Sequence, residues 1–364
     1  MLVPFRKEKK WGYSTIDKNI VINPIYDSAE LFREGLARVR LGDRIGFIDS
    51  SGKVVIPLTF EFAHDFYEGR ALVCNGTRCG FVDETGRMVI PAKYGMSPFG
   101  PNFRDGFAVV EYPNGKSGYI DLMGREITGA RYDRAYPFSE GMARVAVEKD
   151  ALTYNEGFID KTGKEVIPLK YHDTADFSDG LALVTEKKGE GTISGYIDKT
   201  GATVIPFDYG RLSMSFSEGL AFVNIGWYAH DRVIDRSGKV VFKYTGKYRW
   251  TGSGFHDGLA RVSLDKKIGY IDKTGAVVIP MIYDDYDRYD APLGNHAGDF
   301  SGGIAVVCLG NKFGLIDKSG KMLTQFKYAS IPYVYDEGFV RVCLDKDCYC
   351  GGYVGRDGTE YFEP

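Results

Sequence analysis

No apolar run in the 364 residues approaches the roughly 20 residues that a membrane-spanning helix requires. Membrane insertion is therefore not expected. The first residues, Met1-Leu2-Val3-Pro4-Phe5-Arg6-Lys7, lack the apolar stretch of a signal peptide and read as a strand. The reading is a cytoplasmic protein, unless a leader peptide has been removed. An excess of charge is missing too: 46 Lys and Arg stand against 49 Asp and Glu, for a net charge of -3. That removes the electrostatic case for a nucleic-acid partner. Histidine is scarce, with five scattered copies and no visible triad logic. GxSxG, Walker A and HExxH are all absent, as is GxGxxG between a strand and a helix. No cofactor is expected. Of the six cysteines, Cys74, Cys308 and Cys343 fall in or beside the buried-strand phase, where a thiol acts as a small hydrophobe. Cys343, Cys348 and Cys350 have no second pair at zinc-finger spacing, so no metal site is expected.

What the sequence has is repetition. Its cleanest copy runs from Phe177 to Tyr209: a Phe-x-acid-Gly turn, an apolar strand, Gly-Tyr-Ile-Asp-Lys-Thr-Gly, then Val-Ile-Pro and a Tyr. Related stretches begin at Phe32, Phe66, Phe103, Phe138, Phe216, Phe255 and Phe300, with Tyr335 in the Phe place. The hairpin glycines recur at intervals of 34 to 45 residues from Gly52 to Gly358. Units this small cannot bury a core alone and must stack on their neighbours. The whole of 1–364 is therefore one repeat domain, turning at about residues 17, 50, 84, 122, 161, 199, 236, 273, 318 and 356.

Each unit reads as an antiparallel β-meander of three strands. Two residues after the connector Gly stands Ala, from Ala37 to Ala305, with Val340 in the last copy. Four residues after it stands Val, from Val39 to Val342. Residues two apart on a strand share a face, so Ala and Val mark a packed one. The residue between them varies (Arg38, Leu72, Arg144, Phe222, Arg261, Arg341), so the other face is only partly dry. The second strand, Gly-Tyr-Ile-Asp, ends in a hairpin such as Asp198 to Gly201. There the Asp accepts bonds from the turn's own N–H groups and Gly supplies a positive φ. The third strand, Val-x-Val-Ile-Pro, is expected to stop at its proline, which has no N–H. Tyr26, Phe60, Tyr94, Tyr132, Tyr171, Tyr209, Tyr283 and Tyr328, with the repeated Phe, are expected to plug the gaps between units.

Trp11-Gly12-Tyr13, the repeated Gly-Tyr/Phe-Ile-Asp-Lys-Thr-Gly and Phe-Ser-Glu-Gly-Leu-Ala together resemble the bacterial WG-repeat (KWG-repeat) proteins, across essentially the whole chain. The Trp that names that family stands only at Trp11; Ile45, Cys79, Ser117, Glu156, Ser194, Asp231, Ile268, Phe313 and Gly351 hold its place later. The resemblance implies an interaction or structural module with no shared catalytic residues.

The fold expected is all-β, a tandem array of about ten three-stranded units. An open curved or superhelical stack is favoured over a closed propeller-like ring, whose blades usually have four strands. The acids before the connector Gly (Glu34, Glu68, Asp105, Glu140, Asp179, Glu218, Asp257, Glu337) read as turn-capping or solvated groups. Three irregular stretches are where function would lie: Met96 to Asn102, Trp227 to His256, and Tyr283 to Asp299. Candidate partner-binding residues are Trp227, Tyr228, His230 and Trp250 in the second, and Asp284, Asp287 and Asp290 in the third. The third lacks the spaced ligands of an EF-hand. The leading expectation is a non-catalytic scaffold for another protein. A glycan or cell-surface ligand binder using exposed aromatics is the alternative, and an enzyme the remote one.

Overall fold

In the computed structural model, the second strand of each repeat is held from both sides, and a glycine permits it. In the second repeat Arg44–Ile48 pairs antiparallel with Ala37–Leu41 in continuous register, Gly46 opposite Val39. Against Val54–Phe60 the register slips: Phe47 faces Ile56, yet Ile45 faces Phe60. The chain from Pro57 to Thr59 thus bulges over Gly46. A Cβ there would lie 2.5 Å from the Ile56 carbonyl oxygen and 2.8 Å from the Leu58 nitrogen, so only glycine fits. The same slip recurs opposite Gly80, Gly157 and Gly269. The third strand therefore does not stop at its proline, as the sequence suggested, but runs through Pro57 to Phe60. Proline is tolerated because it sits in a bulge on an edge strand, where its missing N–H costs no ladder bond.

The structure describes residues 1–97, 102–150, 153–210, 213–225, 232–243, 249–285, 298–334, 338–345 and 351–363. They fall into two compact halves, Met1–Lys187 with Ile197–Ala202, and Lys188–Tyr196 with Thr203–Pro364. Among the described residues the regular elements are all β-strands, with no helix. The expected meander is present and gains a short fourth strand. In the first half Ser28–Ala29 precedes Ala37–Leu41, Phe62–Ala63 precedes Ala71–Asn75, and Arg134–Ala135 precedes Met142–Asp150, each at the head of a four-stranded sheet. In the second half Arg249–His256 heads a sheet continued by Leu259–Leu264, Lys267–Asp272 and Val277–Asp284. The three-strand count behind the preference for an open stack does not hold for these sheets. A two-residue strand is too short to leave a period of its own in the sequence.

Elsewhere the third strand shrinks to single bridges, Ile120 with Glu126, Ile316 with Met322 and Val354 with Glu360. In the first two the sequence replaces Ile-Pro by Ile127-Thr128 and Leu323-Thr324. The threonine hydroxyls accept the second-strand amides of Tyr119 at 3.1 Å and Leu315 at 2.9 Å, so side chains fill a place that backbone fills in the other repeats.

The hairpin turns follow the sequence reading. Asp49 Oδ1 accepts from the Ser51 hydroxyl at 2.6 Å and from the amides of Ser51 and Lys53 at 2.9 and 3.1 Å. These bonds, the Ser51 hydroxyl foremost, hold its carboxyl below the usual range. Gly52 takes φ +86° and packs on Ile22 of the preceding repeat.

The core lies between repeats. One cluster joins Ile45, Phe47 and Ile56 of the second repeat to Phe66, Ala71 and Val73 of the third. Another joins Tyr270, Ile279 and Tyr283 to Phe300, Ala305 and Val307. The second-strand aromatic packs edge-on against the Phe of the next connector: Phe47 on Phe66 at 5.0 Å, Phe81 on Phe103 at 4.9 Å, Phe158 on Phe177 at 4.9 Å, Tyr270 on Phe300 at 4.8 Å. Where Val233 replaces the aromatic, Phe255 stacks on Phe222 instead, at 5.3 Å. Every Ala and Val of the expected packed face is buried, Val184 and Val223 completely. Val184→Asp should therefore lower the unfolding free energy by at least about 3 kcal/mol, the scale of an unpaired buried charge. Denaturant titration checks this, and an unchanged midpoint would refute the assigned strand face.

Candidate functional site

The Trp place is interior. Trp11, Ile45, Cys79, Ser117, Glu156, Ser194, Ile268 and Phe313 are all buried, so the position packs the repeat and presents no surface. Cys79 stands directly opposite Cys74 across the Arg78–Val82 and Ala71–Asn75 strands, and the two are joined as a disulfide. The reading of Cys74 as a small hydrophobe is corrected accordingly. Cys343, in the same phase of the last repeat, is disulfide-bonded as well, to a partner outside the described residues. Cys308, whose strand partner is Phe313, is a free buried thiol.

Of the sequence-derived candidates, Trp227, Tyr228, His230, Asp287 and Asp290 lie outside the described residues. Trp250 is placed by its backbone in the Arg249–His256 strand, opposite Val262. Asp284 has a structural task. Its carboxylate accepts the Gly310 amide at 2.7 Å and meets the Lys267 ammonium, and both contacts hold its carboxyl below the usual range, Lys267 foremost. Three other repeats repeat this contact. Asp27 holds Lys10 and the Gly42 amide at 2.6 and 2.7 Å. Asp133 holds Lys116 and the Glu148 amide at 2.6 and 2.8 Å. Glu61 holds the Gly76 amide at 2.7 Å, with Arg44 at 3.7 Å. The acid after the third-strand aromatic thus ties its own second strand to the next repeat's hairpin.

The mid-strand arginines pair with the residue before the next repeat's Phe. Arg38 Nε donates to Asp65 at 2.7 Å, Arg144 Nε lies 3.3 Å from Asp176, and Arg261 Nε lies 3.6 Å from Asp299. Where the mid-strand residue is Leu72, Val109, Leu183 or Phe222, the matching place holds Asn102, Pro137, Ser215 or Gly254 and no acid. That correlation was legible in the sequence and is the signal the per-position reading missed.

Two irregular stretches meet at the last of these pairs. Ser253 Oγ donates to Asp299 Oδ2 at 2.6 Å, and its amide donates to the same oxygen at 3.0 Å. His256 Nε2 lies 2.9 Å from Ser253 Oγ, and Arg261 Nη2 donates to the Thr251 carbonyl at 2.5 Å. Serine, histidine and aspartate are together here, but in the wrong order for nucleophilic catalysis. A catalytic acid orients the histidine, and the histidine takes the serine proton. Here the acid takes the serine proton itself, leaving His256 to donate. The cluster reads as a polar tie between neighbouring repeats.

The connector turns form the most regular polar feature of the molecule. Each is a two-residue hairpin of type I′: Arg33 and Leu36 exchange N–H···O bonds at 2.9 and 3.0 Å, with φ +50° at Glu34 and +86° at Gly35. The acid does not cap its own turn. Glu34 accepts the amides of Glu68 and Gly69 in the next connector, both at 2.8 Å. Glu68 accepts Gly106 at 2.8 Å, Asp105 accepts Gly141 at 3.3 Å, and Glu140 accepts Gly180 at 3.1 Å. In the second half Glu218 accepts Gly258 at 3.0 Å and Asp257 accepts Gly303 at 2.6 Å. A hairpin lysine of the next repeat joins three of these: Lys161 on Asp105, Lys199 on Glu140 and Lys273 on Glu218. The sequence reading assigned these carboxylates to turns correctly, but the turn that each serves is the neighbour's.

A family model for the WG containing repeat matches residues 11–44, 45–76, 80–116, 118–149, 157–189, 195–226, 268–313 and 313–346. The chain belongs to the WG-repeat family. The matches leave out 227–267, which contains the second irregular stretch. No curated protein sequence matches the chain. Among solved structures it is similar to BamB from Moraxella catarrhalis, with 11% identity, 81% of this chain and 95% of that one covered, and a TM-score of 0.39. It is similar to apo AztD from Citrobacter koseri, with 13% identity, 99% and 96% covered, and a TM-score of 0.34. Hsv2 from Kluyveromyces lactis gives 8% identity, 79% and 94% covered, and a TM-score of 0.36. These distant likenesses assign the chain no activity.

Glu156, a carboxylate in the Trp place, supplies a pH test. Burial raises its carboxyl above the usual range, against the Thr174 hydroxyl and Arg144; Thr174 donates its amide at 2.8 Å and its hydroxyl at 2.6 Å. A folded-state value above the unfolded one gives stability that is full below the unfolded value and is lost as pH rises through the folded one. The stability of the wild type relative to Glu156→Gln should therefore fall from about pH 4 to pH 7. Paired denaturation curves measure it; a difference that grows with pH would contradict the assignment.

Proposed function

We propose that this WG-repeat chain is a non-catalytic scaffold that binds another protein. One observation supports this most. The polar groups that recur at fixed phase are engaged in ties between repeats: the connector acids, the acids after the third-strand aromatic and the hairpin aspartates. What remains on the outside is the variable sequence of turns and loops, the usual recognition surface of repeat proteins. The Ser253–His256–Asp299 order argues against acyl transfer there. Nucleic acid is an unfavoured partner at a net charge of -3. No helix among the described residues is long and apolar enough to cross a membrane.

The test is a pull-down from the native organism, comparing wild type with a Trp227→Ala/Trp250→Ala variant. A defined protein captured by the wild type and reduced at least tenfold in the variant supports the reading and places the site in 227–256. Retention of polysaccharide alone would overturn it in favour of glycan binding. For the compartment, the Cys74–Cys79 and Cys343 disulfides favour an oxidising one over the cytoplasm suggested by composition. In acid-quenched native material Cys74 and Cys79 should resist maleimide until a reductant is added. Immediate labelling of both would restore the cytoplasmic reading.

A further inference from the structure

The row of connector turns has a vacant place. In each filled connector described above, a turn amide receives a carboxylate from the preceding repeat. At Gly69 the carboxylate of Glu34 spans two successive amides, those of Glu68 and Gly69. The Glu34–Gly35 turn has the same form: φ +50° and +86°, against +52° and +73° at Glu68 and Gly69. Its cross-turn bonds are 2.9 and 3.0 Å, against 2.9 and 3.1 Å between Tyr67 and Arg70. Yet among the described residues no acceptor lies on the Glu34 or Gly35 amide. Both residues are exposed, and nothing lies within 4 Å of the position a Gly35 Cβ would take.

The chain itself shows what such a turn takes. Every ligand it supplies to these amides, from Glu34 through Asp257, is a side-chain carboxylate. Two adjacent amides converging on one anion form a concave donor pair that suits a carboxylate's two oxygens. We propose that the Glu34–Gly35 turn is a docking point for an aspartate or glutamate side chain carried by a partner protein. The acid would sit on this turn as Glu34 sits on Glu68 and Gly69. This deepens the scaffold reading, and rests on it for the word partner; the carboxylate site itself is testable without one.

The probe is acetate, titrated into the isotope-labelled full chain against chloride at matched ionic strength, with backbone amides followed by NMR. The Glu34 and Gly35 resonances should move along a saturating curve, while those of Glu68, Gly69 and Gly106, already occupied, stay within a fifth of that shift. In Glu34→Ala the second turn loses its carboxylate, and the Glu68 and Gly69 resonances should begin to respond. If that variant fails to fold, the wild-type contrast between Gly35 and Gly69 decides alone. A still Gly35 resonance, or equal movement in all the turns, overturns the site even if the pull-down finds a partner. Saturable binding at Gly35 with a failed pull-down would keep the carboxylate site and reject the scaffold.

Discussion

No repeat of this chain owns its core. The ring on each second strand needs the phenylalanine of the next connector to close over it, as Phe47 needs Phe66 and Tyr270 needs Phe300. The Ala and Val face is buried only once that neighbour has stacked. Stability in such an array is a sum of weak units and strong interfaces. A substitution therefore acts on a pair of repeats, and the interfaces are where sequence has least freedom.

The polar contacts follow the same logic. Three kinds of charged tie cross from one repeat to the next: connector acid to connector amide, mid-strand arginine to pre-Phe aspartate, and the acid after the third-strand aromatic to the next hairpin. Individually such exposed or half-buried pairs contribute little, of order 0–1 kcal/mol. Their value is geometric, because each fixes where the next turn must lie. The connector acids hold φ near +50°, a conformation glycine or asparagine adopts more readily. A residue kept there against its own backbone preference points to its side chain as the reason, and that side chain reaches the neighbour.

Much of this was legible beforehand, for identifiable reasons. The repeat, the strand phase of Val39 or Val184 and the Asp-x-x-Gly hairpins each leave a short-range signature, since a strand alternates every two residues and a turn demands its own residue types. The arginine–aspartate correlation was also present, in pairs such as Arg38 with Asp65, but shows only when positions in successive repeats are compared. Asp284 misled because an acid in a long irregular loop resembles a binding residue; its partners, Lys267 and Gly310, identify it as one more inter-repeat tie.

The sequence by itself determined the class of structure, the length of the repeat and which face of each strand is dry, because these depend on local periodicity and on residues that few conformations tolerate. Tertiary structure decided the rest. The passage of the third strand beyond Pro57 depends on a bulge over Gly46, which exists only when three strands lie side by side. The short strand Ser28–Ala29 has no period to detect and is defined by its partner. The destination of each connector carboxylate was open too, since Glu34 could cap its own turn or reach across. Stacking settles it by placing the Glu68 and Gly69 amides 2.8 Å away, and by leaving the matching pair at Glu34 and Gly35 without a carboxylate of its own.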